Sequence, residues 1–229
     1  MPIHRTLKQD FFKKWNEEMA YVLGFFAADG SMLRNNREAH FIEFQITDEQ
    51  ILKDIKKVIG SNHKITARNR DIKWKTSYRL QLGSKEWFED LQKLGFMQAK
   101  SLVLKFPNIP RLYQSAFVRG YFDGDGGVYF KSHKAKDRKN PRWVFSTHFT
   151  SGSRLFLENL HLLLKEHGIQ KGFVVAKAKN KGFDLVFSHH DSVALYWFMY
   201  NNAPRIYLKR KYSMFHKALA TLYGETMRL

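Results

Sequence analysis

Hydrophobic and polar positions along this chain keep two rhythms, and the rhythms come in the same order twice. A period of about two marks a half-buried strand, and a period of about 3.6 marks an amphipathic helix. Strand-like alternation covers Glu38–Thr47, Lys64–Arg70 and Trp74–Leu82. Helical spacing covers Asp48–Ile59, closed by Gly60, and Ser84–Leu94, with Gly95 behind it. Further along, Val128–Lys134, Arg142–Thr150, Ile169–Lys177 and Phe183–Ser188 predict strands. Ser151–His167, closed by Gly168, Asp191–Tyr200 and Arg205–Leu222 predict helices.

Ahead of each series stands a segment that is apolar on nearly every side, as a buried helix is. Tyr21-Val22-Leu23-Gly24-Phe25-Phe26-Ala27-Ala28-Asp29-Gly30 can be laid over Phe117-Val118-Arg119-Gly120-Tyr121-Phe122-Asp123-Gly124-Asp125-Gly126, with Gly24 and Gly120 96 residues apart. An internal repeat of this size organises the whole chain. The pattern predicts an α+β protein of two pseudo-twofold-related αββαββα halves, each carrying a four-stranded antiparallel sheet. The halves are residues 1–105 and 106–229, joined at Lys105–Pro110, where Pro107 and Pro110 discourage regular structure. A basic hairpin tip, Lys131–Arg142, lengthens the second half.

Within the repeated helices, Gly24 and Ala28, like Gly120 and Gly124, are spaced i, i+4 and share a face. Small residues there let two helix backbones approach closely. Each helix then ends in Asp-Gly, with Gly30 and Gly126 expected as left-handed stop residues. The carboxylates are the oddity. Asp29 and Asp125 face the negative ends of their helix dipoles, and as neighbours they also repel each other. Two unfavourable terms in one place call for a cation. Paired carboxylates with helix-end carbonyls suit Mg²⁺, a hard ion that favours oxygen and phosphate. One isolated Asp-Gly is merely a turn; two copies, each closing a glycine-containing apolar helix, point to a site.

Charge changes the picture in the same direction. The chain has 39 Lys+Arg against 21 Asp+Glu, a formal net of +18. Residues 1–105 hold 19 basic and 13 acidic side chains, and residues 106–229 hold 20 and 8. Both halves are basic, so a polyanionic partner is expected across the fold rather than at a tail. The absence of Cys excludes disulfides and Cys-ligated zinc. No apolar run reaches the roughly 18 to 20 residues of a membrane span, nor does Met1–Arg5 open a signal peptide. A soluble, intracellular protein is expected, its compartment open. The His residues have no HxxxH spacing, and His189-His190 reads as a loop pair. Lys209-Arg210-Lys211, in a predicted helix, reads as a solvated or phosphate-touching face. No phosphate-binding glycine loop or nucleophile elbow is present.

Val22–Gly30 and Val118–Gly126 resemble the two LAGLIDADG motifs of single-chain homing endonucleases, and the duplicated αββαββα plan extends the resemblance over nearly the whole chain. Lys100–Pro110 and Ile206–Tyr212 look similar to the family as well. The resemblance implies two sheets forming a saddle for DNA. It also implies Asp29 and Asp125 as catalytic metal ligands, helped by the carbonyls of Ala28 and Gly124. Mg²⁺ is the cofactor so implied, with Ca²⁺ or Mn²⁺ as substitutes at the same site. Such proteins act as monomers on a long double-stranded target, leave short 3′ overhangs, and are typically encoded within introns or inteins. Relatives without cleavage act as intron RNA maturases or DNA-binding regulators, and a basic RNA-binding protein is a third reading that leaves the doubled Asp-Gly unexplained. Ala27 departs from the acid that the second motif has at Asp123. For the basic residue that family members place beside the phosphate, Lys85, Lys100, His189 and His190 are candidates, none a clean match.

Alternation along the strands leaves one polar face. Gln45, Ser77, Arg79 and Gln81, with Lys75, oppose the apolar side of the first sheet; Arg142, Ser146 and His148 do so in the second. Such groups can hydrogen-bond base edges in the major groove, which strands are able to enter. Arg68, Arg70, Lys177 and Lys179 suit outer positions or phosphates. A solvated antiparallel sheet alternates in the same way; the charge and the paired Asp favour DNA.

Overall fold

Side chains that can accept a hydrogen bond stand directly ahead of the apolar-periodic runs, and helices begin there. Asn16 accepts from the backbone N–H of Met19, Asp48 from Gln50 and Ile51, Ser84 from Trp87 and Ser153 from Phe156, relieving otherwise orphaned amides of the first turn. The computed structural model describes residues 5–69, 75–98, 105–134, 141–201 and 203–224. Arg70, Trp74, Lys100 and residues 135–140 of the basic hairpin tip lie outside them.

The chain divides into two compact units, Met1–Gly124 and Asp125–Leu229. The first runs α1 (Glu17–Asp29), β1 (Gly30–Arg34), β2 (His40–Ile46), α2 (Glu49–Val58), β3 (Ile65–Arg68), β4 (Ser77–Gly83), α3 (Lys85–Lys93) and, after a 3-10 turn at Arg111–Tyr113, α4 (Gln114–Asp125), whose last residue opens the second unit. Its antiparallel sheet has the order β1-β2-β4-β3. The second unit continues with β5 (Gly126–His133), β6 (Arg142–Ser151), α5 (Arg154–Glu166), β7 (Phe173–Ala176), β8 (Phe183–Phe187), α6 (His189–Tyr200) and α7 (Lys209–Tyr223). Its sheet, also antiparallel, has the order β5-β6-β8-β7. The α+β class and the two four-stranded sheets are therefore as the pattern predicts.

In each sheet the alternation sets the core. Ile42, Phe44, Leu80 and Leu82 are buried in the first, and Phe145, Phe149, Leu185 and Phe187 in the second. Phe11 and Phe12 pack on Trp87, whose indole N–H donates to the carbonyl of Lys8, so the N-terminal segment is tied to the first unit.

Several boundaries differ from the pattern. β1 is not among the predicted strands: it holds only two apolar residues, Met32 and Leu33, and pairing with β2 makes it a strand. Ile169–Lys177 contracts to β7. Ile169 instead donates its N–H to the carbonyl of Leu164 and buries its side chain, completing the left-handed close of α5 at Gly168. Ile206 and Leu208 are buried in a lead-in, and the last helix starts only at Lys209. His189 and His190 open α6 rather than forming a loop.

Candidate metal centre and nucleic-acid interface

α1 and α4 touch backbone to backbone. A Cβ on Gly24 would overlap the carbonyl oxygen of Phe117 and come within 2.9 Å of the Tyr121 nitrogen. A Cβ on Gly120 would overlap the carbonyl oxygen of Tyr21 and come within 2.9 Å of the Phe25 nitrogen. Both glycines are required by close approach, as the i, i+4 spacing predicts. Residues Met19–Ala27 of α1 and Ala116–Asp123 of α4 are all buried.

Two charged groups share that burial. The Asp123 carboxylate accepts from the Tyr21 hydroxyl at 2.7 Å, and the Arg119 guanidinium donates to Glu17 at 2.8 Å. The departure at Ala27 thus has a structural counterpart: the acid at the matching position of α4 is a buried hydrogen-bond acceptor for α1.

Asp29 is the last residue of α1 and Asp125 the last of α4, and neither helix has a basic residue in its final turn. Gly30 and Gly126 do not stop the helices in left-handed geometry, in contrast to the expectation from Asp-Gly. Gly30 is extended, and both glycines are the first residues of strands β1 and β5, paired with Phe44 and Phe149. Gly30 is needed because a Cβ would enter the Phe26 ring, so the helix can pass straight into the sheet. Each carboxylate therefore sits at a helix-to-strand corner. A Cβ on Gly124 would collide with that of Ala28 and lie 3.4 Å from Asp29 Oδ2, so Ala28 and Gly124 keep side chains away from this carboxylate. Among the described residues no three His, Cys, Asp or Glu side chains gather as a metal-binding group. The carboxylate and main-chain carbonyl oxygens at each of these helix ends are the donor types that a hard divalent ion takes.

On the open face of the first sheet, one Glu43 oxygen accepts from Arg79 at 3.0 Å and from Gln81 at 2.7 Å. Gln45 donates to the Ser77 hydroxyl at 3.3 Å, and that hydroxyl donates to the carbonyl of Arg68. Gln45, Ser77, Arg79 and Gln81 are thus brought together, with Arg68 at the exposed end of β3 and Lys75 exposed ahead of β4. Arg70 lies outside the described residues.

In the second sheet Arg142, Ser146 and His148 share the open face, opposite His133, Tyr129 and Gly127. The His148 ring lies over Gly127, where any Cβ would strike it. Burial lowers the His148 pKa; Asp184 opposes this, while Lys177 and Lys211 add to it. Lys177 pairs with Asp184 at 3.4 Å, and Thr150 donates to the same oxygen at 2.6 Å. Lys179 is exposed and adopts a positive φ in the turn that follows β7.

Sequence reasoning missed three features here. Glu43 organises the first polar face, and its central place in the alternation was the available signal. Tyr129, Lys131 and His133 form an exposed aromatic and basic row on β5, with Lys131 over the Tyr129 ring and Tyr129 bonded to His133. Lys211 is only 5% exposed, although the Lys209-Arg210-Lys211 run reads as a solvated or phosphate-touching face. Two residues along a helix turn about 200°, so Lys211 joins the inward side with Phe215 while Lys209 and Arg210 stay outside. Among the candidate basic residues, Lys85 is exposed beside Glu89, and His189 bonds to the Tyr223 hydroxyl.

The family model described as the LAGLIDADG-like domain matches this chain twice, over residues 16–94 and 112–194. The chain belongs to this family. Each match takes in one motif helix and the sheet behind it. Among solved structures, the LAGLIDADG fold is shared with I-SmaMI bound to uncleaved DNA target in the presence of calcium ions, at a TM-score of 0.63, 13% identity and coverage of 91% of this chain and 92% of that one. It is shared also with the I-LtrWI LAGLIDADG homing endonuclease bound to target DNA, at 0.60, 12%, 93% and 92%. Curated relatives include a probable translation initiation factor IF-2 of Thermococcus kodakarensis, 30% identical over 180 residues, and a replication factor C small subunit of Methanocaldococcus jannaschii, 30% identical over 118. These stretches cover 73% and 50% of this LAGLIDADG chain but 13% and 6% of those relatives. Among the described residues no helix is long and apolar enough to cross a membrane.

Proposed function

We propose that this LAGLIDADG chain is a site-specific homing endonuclease that makes divalent-metal-dependent double-strand breaks in a long DNA target, leaving short 3′ overhangs. The observation that carries the reading is the pair of helix-ending carboxylates, Asp29 and Asp125. Each stands at a helix-to-strand corner, on helices that glycine packs together. Asp29 and Asp125, with the carbonyls of Ala28 and Gly124, would hold Mg²⁺, and Ca²⁺ or Mn²⁺ could replace it. The ion would supply an activated water and neutralise charge at the scissile phosphate. Residues 1–105 and 106–229 would each present one sheet to a half-site, so a monomer suffices and the target need not be symmetric.

The chain's own groups divide the remaining work. Gln45, Lys75, Ser77, Arg79, Gln81, Arg142, Ser146 and His148 would face base edges, while Arg68, Arg70, Lys177 and Lys179 would meet phosphates or outer positions. The curated relatives support the homing part. Similar stretches occupy a small fraction of functionally unrelated proteins, as a module inserted into different hosts would, so an intron or intein setting is the expected one.

A randomised duplex library incubated with and without Mg²⁺ tests the reading. Defined sites cut only with metal, and loss of double-strand cleavage in Asp29→Asn and in Asp125→Asn, are expected. A chain that binds selected duplexes but cuts none of them under Mg²⁺, Mn²⁺ or Ca²⁺ is a regulator or maturase instead, and this proposal fails.

A further inference from the structure

The open faces of the two sheets are not equivalent at the edge. In the second sheet, Phe173 on β7 is paired with Val186 on β8, and Val175 lies two residues further along β7. Their neighbours Val174 and Leu185 point the other way, Leu185 into the core. Phe173, Val175 and Val186 therefore form one apolar cluster on the open face, with Phe173 55% and Val175 39% exposed. Exposed apolar side chains grouped like this call for an occupant.

Charge selects among occupants. Lys171 stands just before the strand, and Lys177, Lys179 and Lys181 follow it. A basic rim on a chain of net +18 opposes a second copy of the same edge strand and suits a polyanion. The base-edge group that seeks apolar contact in a major groove is the 5-methyl of thymine. The polar groups beside the cluster are already engaged: the Asp184 oxygen that takes the Thr150 hydroxyl also takes Lys177.

We infer that Phe173, Val175 and Val186 form a thymine-reading surface, which selects thymine methyl groups in the half-site under the second sheet. The inference rests on the DNA-cleavage reading above and adds to it a base identity for one half-site.

The experiment uses the full chain and a duplex selected from a randomised library in Ca²⁺. Thymines are replaced by deoxyuridine in one half of that duplex at a time, which removes only the methyl groups. Wild type should lose roughly three- to fourfold in affinity per contacted methyl in one half. The Phe173→Ser/Val175→Thr variant should bind thymine and deoxyuridine duplexes alike. Equal binding of the two duplexes by wild type, in both halves, overturns the thymine surface while leaving the nuclease reading intact. So does a variant that keeps the wild-type preference for thymine. If no duplex is selected at all, the DNA reading itself falls and this inference falls with it.

Discussion

The two sheets share their inward faces and differ in their outward ones. Register places Phe44 and Leu80 of the first sheet where the second has Phe149 and Leu185, all four buried. The same register sets Glu43 opposite the role of His148, Arg79 that of Asp184, and Gln81 that of Val186. Folding constrains the inward set, since each loss of a large buried side chain costs about 2–5 kcal/mol. Nothing in the fold demands that an Arg–Glu–Gln network become a His–Asp–Val row. Faces free to diverge, on a doubled scaffold that did not, are what an asymmetric partner requires.

The comparison breaks first if the helix pair is not the fixed part. Gly24→Ala and Gly120→Ala each put a Cβ into a backbone carbonyl, which cannot move as a side-chain tip can. Destabilisation of about 3 kcal/mol or more is expected in urea unfolding. Gly95→Ala, with open space but a positive φ, should cost only about 1 kcal/mol. Equal losses at the two kinds of site would mean the helices are not held by close approach.

Next in size comes the polar contact between those helices. Tyr21→Phe leaves the fully buried Asp123 without its 2.7 Å donor, and about 1–3 kcal/mol of stability should go with it. Asp123→Ala, which imitates Ala27, should cost less in the Tyr21→Phe background than alone, a coupling that a double-mutant cycle measures.

How much of this the sequence carried depends on which physical term decides. The repeated glycines and terminal Asp residues were legible because close approach and helix ends act within one segment. The inward alternation of β2, β4 and β6 was legible because burial selects by periodicity alone. β1 was hidden because two apolar residues give no rhythm, and its partner strand supplies what its composition lacks. The left-handed stops expected at Gly30 and Gly126 failed for a related reason: Gly30 is needed for space near Phe26, not for its φ. Lys211 was misjudged because a run of basic residues conceals helical phase. Which of Gln45, Arg79 and Gln81 are held by Glu43 depends on cross-strand pairing, which no local pattern contains.

Glu43→Gln sharpens the outward difference. It removes a negative charge from the open face and loosens Arg79 and Gln81 together. Total DNA affinity should rise slightly, while discrimination at the base pair under Arg79 drops by about tenfold, within the 1–3 kcal/mol of a good bidentate contact. His148→Gln should leave that base pair unchanged. Selection of bound sequences reads both effects, and a loss of preference spread evenly over both half-sites would argue against separate reading faces.

The smallest effect concerns pH, and its sign follows from burial. His63, His148, His161 and His189 all have pKa values lowered from the ordinary 6.5, burial being the first cause each time. The unfolded chain therefore binds more protons than the folded one between the lowered values and 6.5, so stability rises with pH through that window. It is fully present above pH 6.5 and is lost on acidification, to the extent that each ring protonates first in the unfolded state. For His148, Asp184 works against the shift and Lys177 and Lys211 with it, so His148→Gln should flatten the slope by less than one bound proton. Unfolding midpoints in urea at a series of pH values from 5 to 8, for wild type and variant, give that slope directly. The same variant should shift the pH dependence only on the acid side; a change above pH 7 would mean the ring is charged in the folded protein, and His148 would then belong with the phosphate-binding cations rather than with the base-facing row.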